Sequence, residues 1–160
     1  MEIEAPDTTL ADEIAEFWVA LATDQRDYGP HLLPEANRTR IREAVVRHIV
    51  TNSLLIARVD GELAGIVMFS VESGSYEQDV RRGIVENLFV VPAHRREAVG
   101  TQLLEAAEAA LAERGADVVA LEAMAANESA RAFYTELGYE PHRIEFEKAL
   151  ESDTHSRSDE

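Results

Sequence analysis

A turn in the middle of the chain combines positive charge with small side chains. Arg95 and Arg96 are adjacent, and Ala98, Gly100 and Thr101 follow shortly after them. Because the formal net charge of the chain is −16, composition alone does not predict such a cationic turn. The first N–H groups of a helix have no partner within it, and the helix dipole adds partial positive charge there. If a helix starts at this turn, it is expected to bind phosphate. The alternative is an arginine-rich helix start without a ligand.

The segments on both sides of the turn have the patterns of a strand and a helix. Residues 85–91 are rich in β-branched and aromatic side chains, which favours a strand. Pro92 ends this strand because proline cannot donate to a sheet ladder. After the turn, apolar residues recur at three- and four-residue spacing on one helix face: Leu103, Leu104, Ala107, Ala110 and Leu111. Together they predict a strand, a basic turn and a helix, a recurrent arrangement for holding phosphate.

A second segment, residues 127–139, contains a tyrosine that core packing explains poorly. Asn127 is a favourable N-cap residue, and Phe133 and Leu137 at helical spacing predict a buried face. Tyr134 belongs to the same helix, and a buried tyrosine hydroxyl needs a partner. Tyr134 is therefore the residue of this segment that we expect to take part in chemistry.

Both segments resemble the signatures of one family. The first pattern, Val90-x-Pro92-x-x-Arg95-x-x-Ala98-x-Gly100, resembles the acetyl-CoA signature of the GNAT superfamily of N-acetyltransferases. The second, Asn127-x-x-Ala130-x-x-x-Tyr134-x-x-x-Gly138-Tyr139, resembles the family's other CoA-contacting segment. Ala98 departs from the family pattern, which has glycine at that position. An alanine suffices there if its φ is negative, although its methyl group could crowd a pyrophosphate oxygen.

The resemblance implies an acetyl-CoA-dependent N-acetyltransferase and assigns roles to particular residues. The pyrophosphate would be held by Arg95, Arg96, Ala98, Val99, Gly100 and Thr101. Pantetheine would contact main-chain groups of Leu88, Phe89 and Val90, and a backbone N–H in this stretch would stabilise the oxyanion. Asn127 would bind the CoA arm. Tyr134 would be the general acid, since a phenol of reference pKa about 10 can protonate a thiolate whose conjugate acid has a pKa near 8.5.

The acceptor amine must also lose a proton. A lysine-like amine has a pKa of about 10.4, so at neutral pH fewer than about one molecule in a thousand is neutral. Glu86, on the strand before the turn, is the first candidate for the base, acting directly or through water, and Glu122 on the next strand is the second. Each carboxylate could instead be a polar strand residue that pairs with an arginine. A chain of ordered water could also replace a protein base.

The remaining patterns predict an α/β fold. We expect an edge strand at residues 1–4, a helix with a capping box at Thr9, a second helix opened by Pro34, and a hairpin of residues 54–59 and 63–71. A buried strand at 118–121 and an alternating strand at 143–148 complete a three-layer α/β/α arrangement with a mixed, mostly antiparallel central sheet. This order matches the GNAT-like fold. We assign residues 1–150 to a single domain and residues 151–160 to a disordered acidic tail.

Charge and composition exclude several classes of function. Asp and Glu total 31 against 15 Lys and Arg, which argues against a nucleic-acid partner. There is no cysteine, so disulfides, thiolate metal sites and a cysteine nucleophile are excluded. The five histidines lack metal-ligand spacing, and no apolar run is long enough to span a membrane, so we expect a cytoplasmic enzyme without a metal. The plentiful carboxylates and the single lysine also resemble proteins of salt-loving microorganisms, the alternative being an acidic mesophilic protein.

Several possibilities stay open at this stage. The acceptor amine could belong to a small molecule or to a protein, and an exposed final strand could let two copies form a homodimer. A different class is a non-catalytic CoA-binding regulatory module, which the departure at Ala98 would suit. A third class is an interaction protein whose acidic surface recruits a basic partner.

Overall fold

The computed structural model describes residues 1–95 and 98–150, which form a five-stranded sheet with helices on both faces. The strands are β1 (Glu2–Glu4), β2 (Leu54–Val59), β3 (Glu62–Val71), β4 (Arg82–Val90) and β5 (Val118–Ala120), in that spatial order. The helices are α1 (Ala11–Asp24), α2 (Arg38–Val50), α3 (Val99–Glu113) and α4 (Glu128–Glu136). Neighbouring strands are antiparallel except for β4 and β5, which are parallel. The predicted fold class is confirmed; Arg96 and the predicted tail, 151–160, lie outside the described residues.

The sheet separates two hydrophobic cores, which makes the fold three-layered. Helices α1 and α2 contribute Ile14 and Val45 to one core, where they join Ile66 of β3. Helix α3 contributes Leu104 to the other core, where it joins Val67, the next residue of β3. Successive strand side chains point to opposite faces, so a strand covered on both sides must be apolar at nearly every position. The continuous apolar runs of the β2–β3 hairpin follow from this burial.

Two helices begin later than their sequence patterns predict. Asp7, and not Thr9, supplies the first cap: its carboxylate accepts a hydrogen bond from the Thr9 N–H at 2.9 Å. A 3₁₀ turn, Thr8–Leu10, then precedes α1. Pro34 likewise precedes a 3₁₀ turn, Glu35–Asn37, instead of opening α2 itself. In both places the tighter turn carries the chain into the helix before α-helical hydrogen bonding begins.

The final strand predicted at 143–148 is wrong for the described structure, in which the residues from α4 to 150 contain neither helix nor strand. Ile144 and Phe146 are 69% and 89% exposed. A strand needs a neighbour that completes its ladder of hydrogen bonds, and β5 offers an edge of only three residues. The segment instead contacts the loop between α1 and α2, where His31 Nε2 lies 2.8 Å from Glu147 Oε1. The alternation of apolar side chains predicted a strand, but such a pattern does not show whether a neighbouring strand is available to pair with it.

Candidate active site

Strand β4 contains a bulge at Glu86. Phe69 of β3 pairs with Val85 and Met68 pairs with Asn87, so Glu86 is an extra residue between two consecutive pairs. Bulges re-aim a side chain and are over-represented next to active sites. At this bulge the side chain of Glu86 is 37% exposed.

Beyond the bulge, one edge of β4 is open. Strand β5 pairs with β4 only through Arg82, Gly83 and Ile84. From residue 85 to residue 90, β4 has no paired strand on that side in the part of the chain that the structure describes. Peptide groups on this side are therefore available to a ligand that lies along the strand.

The register identifies which peptide groups face the open edge. The Val91 N–H donates to the Ala64 carbonyl on β3 at 2.9 Å. Because hydrogen-bonded and non-bonded pairs alternate in an antiparallel ladder, the peptide groups of Phe89 point towards β3, whereas those of Leu88 and Val90 point to the open side. The Val90 carbonyl on that side accepts a hydrogen bond from Arg95 Nε at 3.1 Å. Phe89 contributes a buried ring, which packs edge-to-face on Trp18.

Helix α3 begins immediately after this edge and has an open N-terminus. Its N-cap residue, Ala98, makes no side-chain cap, and its first turn contains no acidic residue. The first α-helical hydrogen bond runs from the Gln102 N–H to the Ala98 carbonyl at 3.0 Å. The N–H groups of Val99, Gly100 and Thr101 precede this bond, so no helix carbonyl accepts from them. These three N–H donors, together with the positive charge of the neighbouring Arg95, suit the negative charge of a coenzyme A diphosphate.

Ala98 does not meet the condition under which alanine suits this position. Its φ is +66° and its ψ is 9°, which is the left-handed conformation. Glycine adopts this conformation at no steric cost, whereas the Cβ atom of any other residue crowds the following carbonyl oxygen. The departure from the family pattern therefore falls at a residue whose backbone favours glycine.

Helix α4 brings the second predicted segment to the start of α3. A Cβ atom placed on Gly100 would lie 3.3 Å from Phe133 Cζ and 3.6 Å from Val90 Cγ2. Leu88, Val90, Phe133 and Tyr134 all pack against the same core. The end of β4, the first turn of α3 and the inner face of α4 therefore meet at one place.

Tyr134 packs among apolar and aromatic side chains. Its ring contacts those of Phe133 and Tyr139, with centroids 5.4 and 6.1 Å apart. Burial raises the pKa of Tyr134, so the phenol stays protonated at neutral pH. Among the described residues, no side chain or peptide group hydrogen-bonds its hydroxyl. Tyr139 differs, because its hydroxyl donates to Glu108 Oε2 at 2.5 Å.

Asn127 caps α4. Its Oδ1 accepts a hydrogen bond from the Ala130 N–H at 3.1 Å, as predicted for a good N-cap residue. The cap uses the amide oxygen, so the Nδ2 donors remain for a ligand.

Polar partners surround Glu86. Ser70 Oγ donates to Glu86 Oε2 at 2.5 Å, and His48 Nε2 lies 3.4 Å from Glu86 Oε1. The His48 contact, with smaller contributions from Ser70 and from the charge of Arg47, lowers the pKa of Glu86 despite partial burial. The carboxylate is therefore ionised at neutral pH. Glu122, the second candidate base, is exposed and lies beyond the end of β5, not within a strand.

The sequence analysis missed His48, Ser53 and Ser70 as parts of this site. His48 is on the inner face of α2 and Ser70 on β3, and both reach Glu86 only through the tertiary fold. No motif joins residues so far apart along the chain, and a single buried histidine has no local signal.

Within residues 1–95 and 98–150, no helix combines the length and the apolarity that crossing a membrane requires. The same residues contain no group of three or more His, Asp or Glu side chains placed to hold a metal ion.

Comparisons with known proteins identify the family of this chain. The model of the acetyltransferase (GNAT) family matches residues 16–139. An N-alpha-acetyltransferase from Sulfurisphaera tokodaii is 32% identical over 98 residues, which are 58% of this chain and 59% of the relative. The match thus spans less than two thirds of that curated relative.

Solved structures agree with the fold. A GCN5-related N-acetyltransferase from Ralstonia eutropha is 24% identical with a TM-score of 0.72, covering 93% of this chain and 97% of that one. An aminoglycoside N-acetyltransferase in complex with CoA is 20% identical with a TM-score of 0.65, covering 92% and 93%. The family match extends over the open edge of β4, the start of α3 and all of α4. The chain belongs to the GNAT family of acetyltransferases, in which acetyl-CoA is the acetyl donor.

Proposed function

We propose that this protein transfers the acetyl group of acetyl-CoA to a primary amine, which attacks the thioester directly. The observation that carries the proposal is the open edge of β4. It turns the peptide groups of Leu88 and Val90 outward directly before the uncapped N-terminus of α3. In acetyl-CoA a long amide-bearing arm joins the thioester to a diphosphate. The arm suits the open edge of β4, and the diphosphate suits the helix N-terminus that follows.

The residues of the donor site have distinct tasks in this proposal. Arg95 and the N–H groups of Val99, Gly100 and Thr101 bind the diphosphate, together with Arg96. Leu88 and Val90 bind pantetheine through their peptide groups, and Asn127 binds the CoA arm through Nδ2.

Tyr134 is the proposed general acid. Acetyl-CoA supplies a carbonyl carbon activated by a thiolate leaving group. Negative charge that develops on the carbonyl oxygen is stabilised by a backbone N–H of Leu88 or Val90. Tyr134 protonates the departing sulfur, and its raised pKa keeps the proton on the phenol until the thiolate forms.

Glu86 is the proposed base, and its ionisation favours one class of amine. The lowered pKa of Glu86 makes it a good partner for an ammonium group and a weak direct proton acceptor. An acceptor that is already partly neutral suits such a site. About a tenth of α-amines are neutral at pH 7, against fewer than about one in a thousand lysine-like amines. We therefore place the α-amine of a peptide or protein first among the acceptors, as the name of the Sulfurisphaera tokodaii relative also suggests.

The test compares two matched peptides of one sequence. One has a free N-terminus and no lysine; the other has an acetylated N-terminus and one internal lysine. We expect acetyl-CoA and CoA to raise the melting temperature, and thiol release to require the free N-terminus. Thiol release with the lysine peptide alone would contradict the α-amine assignment.

Two other outcomes would replace the proposal. Stabilisation by CoA without thiol release across a broad amine panel would identify a CoA-binding module. No stabilisation by either form at millimolar concentration would leave an interaction protein. The assays are run at low and molar salt, because adaptation of the acidic surface to salt predicts higher activity when the Debye length is about 3 Å.

A further inference from the structure

His48 and Ser53 stand out as polar side chains inside an apolar core. Only 7% of His48 and 4% of Ser53 is exposed, and no other described polar residue is as buried. The two imidazole nitrogens have different partners: Nδ1 lies 2.8 Å from Ser53 Oγ, and Nε2 lies 3.4 Å from Glu86 Oε1. Ser53 Oγ lies in turn 2.7 Å from the hydroxyl of Thr51. A connected polar chain thus runs from the surface, through the core, to the carboxylate at the bulge.

The series Ser53, His48 and Glu86 contains the same three groups as a serine–histidine–carboxylate triad, but its orientation is the reverse. In a hydrolase the serine faces the substrate and the carboxylate is buried behind the histidine. In this protein Ser53 is buried, and its hydroxyl is already shared with Thr51 and His48. Glu86 is the exposed member. Ser53 and His48 therefore support the carboxylate of Glu86, and Ser53 is not activated as a nucleophile.

Hydrogen-bond directions follow from what each group can donate. An ionised carboxylate only accepts, so Nε2 of His48 must carry the proton that faces Glu86. If Thr51 donates to Ser53 and Ser53 donates to Nδ1, both contacts of the imidazole are satisfied in its neutral form, but the Thr51 hydroxyl then cannot also donate to the Arg47 carbonyl, which lies 2.9 Å away. If Ser53 instead donates to Thr51, Nδ1 is protonated as well, and Nε2–H still faces Glu86. Either arrangement directs a donor to the carboxylate and fixes the imidazole from behind.

We propose that His48 is a positioning residue that holds Glu86 towards the acceptor amine, with Ser53 fixing the imidazole. This inference rests on the proposed function, because Glu86 is the proposed base. Such support matters at the bulge, because Glu86 has no directly paired residue on β3 to restrain its backbone. Ser70 contacts Oε2 of the carboxylate, and His48 lies near Oε1, the other oxygen. The lowered pKa of Glu86, for which the His48 contact is the largest cause, agrees with this role.

Asparagine and glutamine at position 48 separate the two contacts of the imidazole. Gln places an amide nitrogen near the position of Nε2 and keeps a donor for Glu86, whereas Asn places it near Nδ1 and keeps only the Ser53 contact. We expect His48→Asn to lower kcat/KM for the amine about tenfold, less than the roughly hundredfold that a 1 Å misplacement can cost. His48→Gln should retain most of the activity. Equal losses in the two folded variants would overturn the proposal.

A double-mutant cycle separates positioning from a general loss of structure. If His48 acts through Glu86, His48→Asn should cost little in a Glu86→Gln background. A purely structural residue would cost the same in both backgrounds, and that result would contradict the inference.

A third measurement does not depend on activity. Nitrogen-15 NMR of the histidine-labelled protein should find Nε2 of His48 protonated, with its resonance shifted by Glu86→Gln. Absence of both effects would show that the contact does not exist, even in an active enzyme. If no amine supports thiol release but the resonance shifts, the proposed function fails while the contact stands.

Discussion

Strand β4 and the start of α3 form one side of the candidate site, the β4–α3 wall, and α4 forms another, the α4 wall. The two walls differ in the groups that surround their ionisable residues, Glu86 and Tyr134. On the β4–α3 wall, Glu86 lies at a bulge, accepts a hydrogen bond from Ser70 and lies 3.4 Å from His48 Nε2. On the α4 wall, Tyr134 lies between aromatic rings, with no hydrogen-bond partner among the described residues. The helix starts differ too, since Asn127 caps α4 whereas α3 has no side-chain cap.

These surroundings move the two pKa values in opposite directions. Polar contacts lower the pKa of Glu86, and burial in an apolar environment raises the pKa of Tyr134. At neutral pH one group is therefore ionised and the other protonated. Two titratable groups whose environments drive them apart are a recurrent arrangement for acid and base roles in one site. The comparison teaches that the neighbours of each group, more than its residue type, set its charge state, on which the proposed roles depend.

Removing the Tyr134 hydroxyl, on the α4 wall, should reduce activity more than any other variant proposed. Tyr134→Phe keeps the ring contacts and deletes the proposed acid, so we expect kcat to fall by about 10²–10⁴-fold. The affinity for acetyl-CoA should change little, because no residue in the described part of the chain hydrogen-bonds this hydroxyl. Steady-state kinetics and calorimetry with acetyl-CoA measure the two quantities.

Tyr139→Phe is the matched control for Tyr134→Phe. It removes a neighbouring hydroxyl that already donates to Glu108, and it should leave kcat unchanged. Normal turnover in Tyr134→Phe would remove the acid from the α4 wall and end the comparison.

Neutralising the carboxylate of the β4–α3 wall should have the next largest effect. Glu86→Gln preserves shape and removes charge, and we expect kcat/KM for the amine to fall roughly 10²-fold. The KM for acetyl-CoA should stay near its original value. Glu122→Gln is the control, because Glu122 is exposed and lies beyond β5. If the Glu122 variant were the slower one, the base would belong to the loop after β5.

Local patterns predicted more of this site than tertiary patterns did. The strand before Pro92, the apolar face of α3 and the cap at Asn127 each depend on neighbouring residues, and all are present in the structure. The contact between His48 and Glu86 joins α2 to β4, so no window of sequence contains it. The strand predicted at 143–148 failed for a related reason, because pairing depends on an edge elsewhere in the fold.

Ala98 illustrates a different limit. The residue was recognised as a departure, but its consequence depends on φ, which the packing of α3 determines. Residue type alone could not distinguish a harmless alanine from a strained one.

Deleting a cation of the β4–α3 wall should weaken the donor and leave the chemistry intact. We expect Arg95→Ala to raise the Kd of acetyl-CoA about tenfold, since a charge-assisted hydrogen bond contributes about 1.5–3 kcal/mol and the side chain is exposed. Arg131→Ala is the matched control on the α4 wall: Arg131 is also exposed and also donates to a backbone carbonyl, that of Ala125, at 3.1 Å. Equal losses in both variants would mean that Arg95 contributes no more to binding the diphosphate than an exposed arginine on α4 does.

Relieving strain at the start of α3 should have the smallest effect and the opposite sign. Ala98 holds a left-handed backbone that glycine adopts freely, so Ala98→Gly removes about 1–2 kcal/mol of strain and returns part of it as entropy of the unfolded chain. We expect a net gain of about 0.5–1 kcal/mol in the free energy of unfolding, measured by urea denaturation, with tighter binding of CoA. Gly100→Ala, two residues on, is the control that relieves no backbone strain, because the φ of Gly100 is not positive and its new Cβ would lie 3.3 Å from Phe133 Cζ. If Ala98→Gly were destabilising, the open helix start would not carry the strain that distinguishes the β4–α3 wall from the capped start of α4.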